Sequence, residues 1–137
     1  MKLNTLTEVE LFFTHRLETY YHLLKTRLEA CDPIVKINRY IQSSYADESL
    51  SINKISEHIH LSPSHMCFLF KDKTGKTLNQ FLTEFRMEKA RELLCKKEYK
   101  VSDIAVKVGY SDSNYFTKIF RKWMGLTPTE YRGRYLR

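Results

Sequence analysis

Ser113, Asn114, Thr117, Lys118 and Arg121 recur at a spacing that sets them along one side of a helix, and their side chains suit one kind of chemistry. Asn can bond bidentately to adenine and Lys can reach guanine, Ser and Thr adapt to several base edges, and Arg121 with Lys122 can reach phosphate instead. Phe116, Ile119, Phe120 and Trp123 form the opposite, apolar stripe, expected to face a core. About 50 residues earlier, Ser64, His65, Cys67, Phe68 and Lys71 stand as a second set of candidates for exposure, with Met66, Leu69 and Phe70 as the buried side. Phe68 has two readings there: an exposed aromatic that packs on a thymine methyl or a sugar edge, or one more core or interface residue.

Other chemistries find little support. Cys31, Cys67 and Cys95 are odd in number and widely spaced, with no C-x-x-C pair, so they read as small buried hydrophobes rather than a disulfide framework or a zinc cluster. Gly75, Gly109, Gly125 and Gly133 are isolated and form no phosphate-cradling loop. His15 and His22, seven apart, could share a metal across a dimer but read more simply as surface residues. No catalytic residue, metal or cofactor is expected, and the chain is not read as an enzyme. The apolar runs Leu11 to Phe13 and Phe68 to Phe70 are far shorter than the roughly 20 residues that span a bilayer, and no leader follows Met1, so a soluble cytoplasmic protein is expected.

The elements that must position these side chains are helical. Ser51, Ser62-Pro63, Thr77-x-x-Gln80 and Thr127-x-x-Glu130 are helix starts, because a hydroxyl before the first turn satisfies orphan backbone donors and proline at the first position loses nothing. Gly75 and Gly125 supply stops. About seven helices are expected after Pro33, and no strand. Ile55, Ser56, Ile59, His60, Leu61, Ser62 and Ser64 match Ile104, Ala105, Val108, Gly109, Tyr110, Ser111 and Ser113 at an offset of 49, and Phe70, Lys71, Gly75 and Thr77 match Phe120, Arg121, Gly125 and Thr127 at 50. A short helix, a tight turn and a longer helix, twice over, is a duplicated helix-turn-helix. Ala105 is the small residue at the helix crossing and Gly109 tolerates positive φ in the turn; Ser56 and His60 do the same in the first unit, with strain at the histidine. Between the units, Leu78, Phe81, Leu82, Phe85, Ala90, Leu93 and Leu94 share one face of a linker helix in the stretch from Thr77 to about Lys96, of which some 18 residues at 1.5 Å each make a strut of about 27 Å. With the helices at its ends it approaches the roughly 34 Å repeat of B-DNA.

Asp32-Pro33 breaks the chain into residues 1–32 and 33–137. Of the net charge of +7, the first part carries −1 and the second +8, the footprint of a phosphate-neutralising surface. In the first part Thr7-x-x-Glu10 resembles a capping box, and Leu3, Leu6, Phe13, Leu17, Tyr20, Leu24 and Cys31 recur nearly as a heptad, interrupted by Glu10 and Arg27. One long amphipathic helix is expected, either packed on another element or dimerising as a coiled coil.

These residues carry a resemblance. Ile34 to Arg132 resembles the DNA-binding domain of the AraC/XylS regulators, above all in IAVKVGYSDSNYFTKIFRKWMGLTPTEYR from Ile104 to Arg132, supported by LSPSHMCFLFKDKTG and RMEKARELL. The resemblance implies an all-α fold, two helix-turn-helix units joined by a long linker helix, promoter DNA as partner, and regulation usually through contact with RNA polymerase. It assigns base reading to Ser113, Asn114, Thr117 and Lys118, and in the first unit to Ser64, Cys67 and Phe68. Arginine is common in that family where Phe68 stands, which puts guanine readout by the first unit in doubt. An upstream sensory or receiver domain is expected, or else the N-terminal helix is itself the partner element, as in a homodimer. AraC-like domains also occur in DNA-repair alkyl acceptors, but the three cysteines lack that spacing. A helical bundle that binds protein rather than DNA is the remaining alternative.

Overall fold

The computed structural model describes residues 5–136, which form eight α-helices with no strand among the described residues. The chain divides into two units, residues 1–36 and 37–137. In the first, α1 (Leu6–Cys31) starts two residues earlier than Thr7-x-x-Glu10 suggests. Thr5 is the cap: its hydroxyl accepts from the Glu8 N–H at 3.2 Å, and the Glu8 carboxylate accepts from the Thr5 N–H at 3.2 Å. The sequence offers two overlapping T-x-x-E boxes, and the chain uses the outer one. Leu3 of the apolar seam lies outside the described residues. At the other end Asp32 leaves the helical region with ψ 122°, as the residue before a proline must, and its carboxylate accepts from the Ile34 N–H at 2.8 Å to open α2 (Pro33–Ser44).

The second unit begins within α2, where Ile37 and Ile41 are fully buried. It continues through α3 (Ile52–Ile59), α4 (Pro63–Thr74), α5 (Leu78–Leu94), α6 (Val101–Lys107), α7 (Ser113–Met124) and α8 (Pro128–Tyr135). The capping residues legible in the sequence set these boundaries. Ser51, Ser62, Thr77 and Thr127 each accept from a backbone N–H three residues on. Gly75 and Gly125 end α4 and α7 in the left-handed region at φ 76°.

Helix α5 is the spine: α4, α6, α7 and α8 all pack on it, while α3 packs on α4 and α6 on α7. Its Met87, Ala90 and Leu94 join Ile104, Ala105, Val108, Phe116 and Phe120 in one fully buried cluster, and Leu78 and Leu82 are buried nearer its start. Phe81, Phe85 and Leu93, from the same stripe, are only half-buried.

Arg86 is a buried residue of α5 that apolar periodicity does not reveal. Its Nε–H donates to the Tyr45 carbonyl at 2.8 Å and its Nη2 to the Asp47 carbonyl at 2.9 Å, and the guanidinium lies 5.3 Å from the Tyr110 ring centre. One cation thus ties the loop after α2 to the spine and to the turn of the second repeat. Burial drives the Tyr110 hydroxyl to titrate above its ordinary range, with Arg86 opposing that shift. Arg132 does a similar job at the other end, donating to the carbonyls of Leu94 at 3.2 Å and Tyr99 at 2.7 Å.

The cysteines do not behave as a buried set. Cys31 and Cys95 are exposed and Cys67 is half-buried; all three are free thiols. Cys31 falls in α1, none of whose residues is buried, and Cys95 is the residue that ends α5.

Candidate nucleic-acid interface

Each repeat builds its turn in its own way. In the second, Ala105 is fully buried where α6 and α7 meet, and Gly109 takes φ 95°. A Cβ there would stand 2.7 Å from the Tyr45 carbonyl oxygen and 2.9 Å from the Arg86 guanidinium carbon, so glycine is needed both for its φ and for its size. In the first, Ser56 is buried with its hydroxyl donating to the Asn53 carbonyl at 2.8 Å, and His60 holds φ 62°, the non-glycine residue with positive φ among the described residues.

The one-residue slip between the repeats has a definite place. His60 corresponds to Gly109 at an offset of 49, but the next caps, Ser62 and Asp112, differ by 50, so the second turn carries one extra residue. Ser111 is in that longer turn, and its hydroxyl bonds the Glu48 carboxylate. Ser62 and Ser64 are therefore counterparts of Asp112 and Asn114, rather than of Ser111 and Ser113 as the sequence alignment suggests. Asp112 caps α7 by accepting from the N–H groups of Asn114 at 2.8 Å and Tyr115 at 3.3 Å.

With that register α4 and α7 are equivalent. Both are twelve residues long and both end at a left-handed glycine. Met66 and Phe116 are buried, as are Phe70 and Phe120; Cys67 and Thr117 are half-buried, as are Leu69 and Ile119. Ser64, His65, Phe68 and Lys71 are exposed, and so are Asn114, Tyr115, Lys118 and Arg121. Two helices with different side chains thus present the same face.

Phe68 stands out on that face at 70% exposure, which removes the core reading. It borders a shallow hollow of about 290 Å³ with Cys67, Lys71 and Asn79. Ser113 is half-buried at the first position of α7, and Thr117 turns its hydroxyl back to the Ser113 carbonyl at 2.8 Å. Trp123, expected in the buried stripe, is 40% exposed instead, because Phe116 and Phe120 already fill the groove against α6 and α5. Tyr115 is an addition that sequence reasoning missed. It is exposed beside Asn114 and lines a cleft of about 690 Å³ with Arg86, Tyr110 and Asp112. Its equivalence to His65 is visible only once the repeats are aligned through their caps.

The charges on this face differ in availability. None of the four ion pairs among the described residues includes Lys71 or Lys118. Arg121 lies close enough to Glu130 to help lower that carboxylate's pKa, after the larger effect of the Thr127 N–H and hydroxyl. Among the described residues Lys71 and Lys118 are thus in no ion pair, while Arg121 is partly engaged with α8.

Comparison with known proteins places this geometry. Residues 55–134 match the helix-turn-helix domain family. The chain is 37% identical over 97 residues to the regulatory protein PocR of Salmonella typhimurium, an alignment covering 71% of this chain and 32% of PocR. It is 42% identical over 77 residues to the HTH-type transcriptional activator RhaR of Mannheimia succiniciproducens, covering 56% of this chain and 28% of that protein. The chain therefore spans about a third of the length of the curated relatives it matches. Among solved structures, the C-terminal domain of the two-component response regulator yesN from Fusobacterium nucleatum is 38% identical with a TM-score of 0.68, covering 70% of this chain and 93% of that one. The C-terminal domain of AraT, a response regulator from Geobacillus stearothermophilus, is 33% identical with a TM-score of 0.73, covering 74% and 84%. These relatives are named as regulators, not as enzymes.

Proposed function

The chain belongs to the AraC-type helix-turn-helix family of transcription regulators, and from that premise we propose that it reads an asymmetric duplex site with α4 and α7 in successive major grooves. The observation that carries this reading is the matched exposure of the two helices, position by position, on either side of one spine. At 17 residues α5 is about 26 Å long, which with a helix at each end suits the roughly 34 Å repeat of B-DNA. Helix α7 is the base reader: Asn114 bonds adenine, Lys118 bonds guanine, and Ser113 and Thr117 adjust to their neighbours. Helix α4 uses Ser64, Cys67 and the apolar face of Phe68, which suits a thymine methyl, while His65 and Lys71, like Arg121, hold the backbone.

In this reading residues 33–137 are the DNA reader and residues 1–32 a linker or dimerisation helix. The protein acts in the bacterial cytoplasm under a sensory or receiver domain and contacts RNA polymerase at a promoter, as an activator. No helix among the described residues is long and apolar enough to cross a membrane.

Selection of bound duplexes from a random pool tests the reading. Two blocks of preferred bases about 10 base pairs apart are expected, the α7 block sharper. A single block, or binding with no preference and little dependence on salt, refutes it.

A further inference from the structure

Helix α5 joins the two repeats, and the loop 45–50 joins them a second time. In the first repeat α3 packs on α4, and α4 on the start of α5, where the Phe70 and Phe81 rings meet at 5.3 Å. In the second, α6 and α7 pack on each other and on α5 around Met87, Ala90 and Leu94. Crossing angles of packed helices scatter by about 15–20° within one packing class. Two such crossings separate α4 from α7, and one base pair turns a duplex by about 35°. Packing on α5 alone therefore leaves a latitude of about one base pair between the reading helices.

The loop 45–50 spans the same gap by other contacts. Its Tyr45 and Asp47 carbonyls accept from Arg86 at 2.8 and 2.9 Å, and the Tyr45 ring meets Phe85 edge-on at 5.2 Å. On one side it abuts the turn of the second repeat: the Tyr45 carbonyl oxygen is the atom that closes off Gly109, and the Glu48 carboxylate accepts from the Ser111 hydroxyl. On the other it is tied into α3, since the Asp47 carboxylate accepts from the Ser49 N–H at 2.8 Å, the Ser49 hydroxyl at 2.6 Å and Lys54 at 3.4 Å. Glu48 and Ser111 line the cleft that Tyr115 of α7 also borders; Asn79, on the same cleft, borders the hollow beside Phe68 of α4 as well. The contact thus sits between the two reading faces, and the longer second turn, which has no equivalent in the first repeat, makes it.

We propose that Glu48 and Ser111 are positioning residues that fix the spacing the protein accepts between its two blocks of bases. The proposal rests on the two-groove reading. With Arg86 holding the loop to α5, the Ser111 hydroxyl and the Glu48 carboxylate keep the second turn against the first repeat, so α4 and α7 cannot swing apart on the spine. Neither side chain touches a base; each acts on DNA through the placement of α4 and α7. A duplex with one base pair more or fewer between the blocks moves one block by about 3.4 Å along the axis and about 35° around it, and the locked protein then engages only one block well.

Affinity of the full chain for a duplex selected from a random pool, and for versions with one base pair inserted or removed between the blocks, tests the proposal. The wild type loses about thirtyfold at either altered spacing, the equivalent of one or two base contacts. Both partners of the Ser111–Glu48 bond are exposed, so it stands at the weak end for a bond to a charged group and biases an equilibrium about tenfold. Ser111→Ala therefore binds the native spacing within about threefold of wild type and pays only about threefold at the altered ones. Glu48→Ala behaves alike, the double variant matches either single because both remove one bond, and Ser111→Thr, which keeps the hydroxyl, keeps the wild-type penalty. A penalty unchanged in Ser111→Ala and Glu48→Ala, or an equal loss at every spacing, overturns the proposal and leaves two-groove reading standing. A wild-type chain indifferent to spacing overturns both.

Discussion

Gly109→Ala measures how tightly the second turn is built. Two costs add at this position. An L-residue at φ 95° pays about 1–2 kcal/mol for the left-handed region alone. The new methyl would also sit 2.7 Å from the Tyr45 carbonyl oxygen and 2.9 Å from the Arg86 guanidinium carbon. Neither neighbour gives easily, because each is the other's partner in a 2.8 Å hydrogen bond, and Arg86 is held again by the Asp47 carbonyl. Displacing Arg86 forfeits at least one hydrogen bond to a charged donor, worth about 1.5–3 kcal/mol. The total is about 2.5–5 kcal/mol, a large share of a typical domain's stability of about 5–15 kcal/mol. Gly125→Ala is the matched control: φ is 76° and nothing lies within 4 Å of its Cβ, so only the backbone cost of about 1–2 kcal/mol applies. Urea unfolding followed by circular dichroism should separate the two by at least about 1.5 kcal/mol. Equal losses would refute the claim that Arg86 and Tyr45 close off the turn.

Asn114→Ala and Lys118→Ala should each relax preference at particular base pairs by about 1–3 kcal/mol, read as affinity ratios across a panel of single-base variants; uniform losses on every duplex would mean phosphate contact only. Phe68→Arg should tighten binding and change preference in the block read by α4 without lowering the melting temperature, because the ring is 70% exposed; aggregation or unfolding would contradict its place on the surface. Glu130 is held below the ordinary carboxylate range by the Thr127 N–H, then by the Thr127 hydroxyl and Arg121. Its folded pKa lies below its unfolded one, so its contribution is complete above the unfolded value and is lost as pH falls through the folded one. Glu130→Gln should therefore flatten the acid arm of the melting-temperature profile, and an unchanged acid arm would show that the carboxylate contributes nothing there.

Much of the fold is legible because it is written in local chemistry. Ser51, Ser62-Pro63, Thr77, Thr127, Gly75 and Gly125 act on the backbone within a turn of themselves, so their effect needs no knowledge of the partner helices. The buried and exposed faces of α7 follow from periodicity for the same reason, and the strain at His60 follows from its alignment with Gly109. What escaped depends on distant parts of the chain. Arg86 is buried because carbonyls some 40 residues earlier in the chain accept its protons, and nothing local distinguishes it from the half-buried Lys89 or the exposed Arg91 of the same helix. Trp123 is squeezed to the surface by two phenylalanines that fill the groove first. Ser111 matches Ser62 by residue type, yet the extra residue in its turn gives it to Glu48 and leaves the cap to Asp112. Residue similarity and structural equivalence part company where a loop changes length.

Base-by-base interference on a selected site, with one chain bound, tests two-groove reading most directly. Modifying guanine N7, which lies in the major groove, should block binding in two clusters centred about one helical turn, or 10 base pairs, apart on the same face of the duplex, with Lys118→Ala erasing positions in only one of them. A single cluster, or two that both persist in Lys118→Ala, would contradict the account.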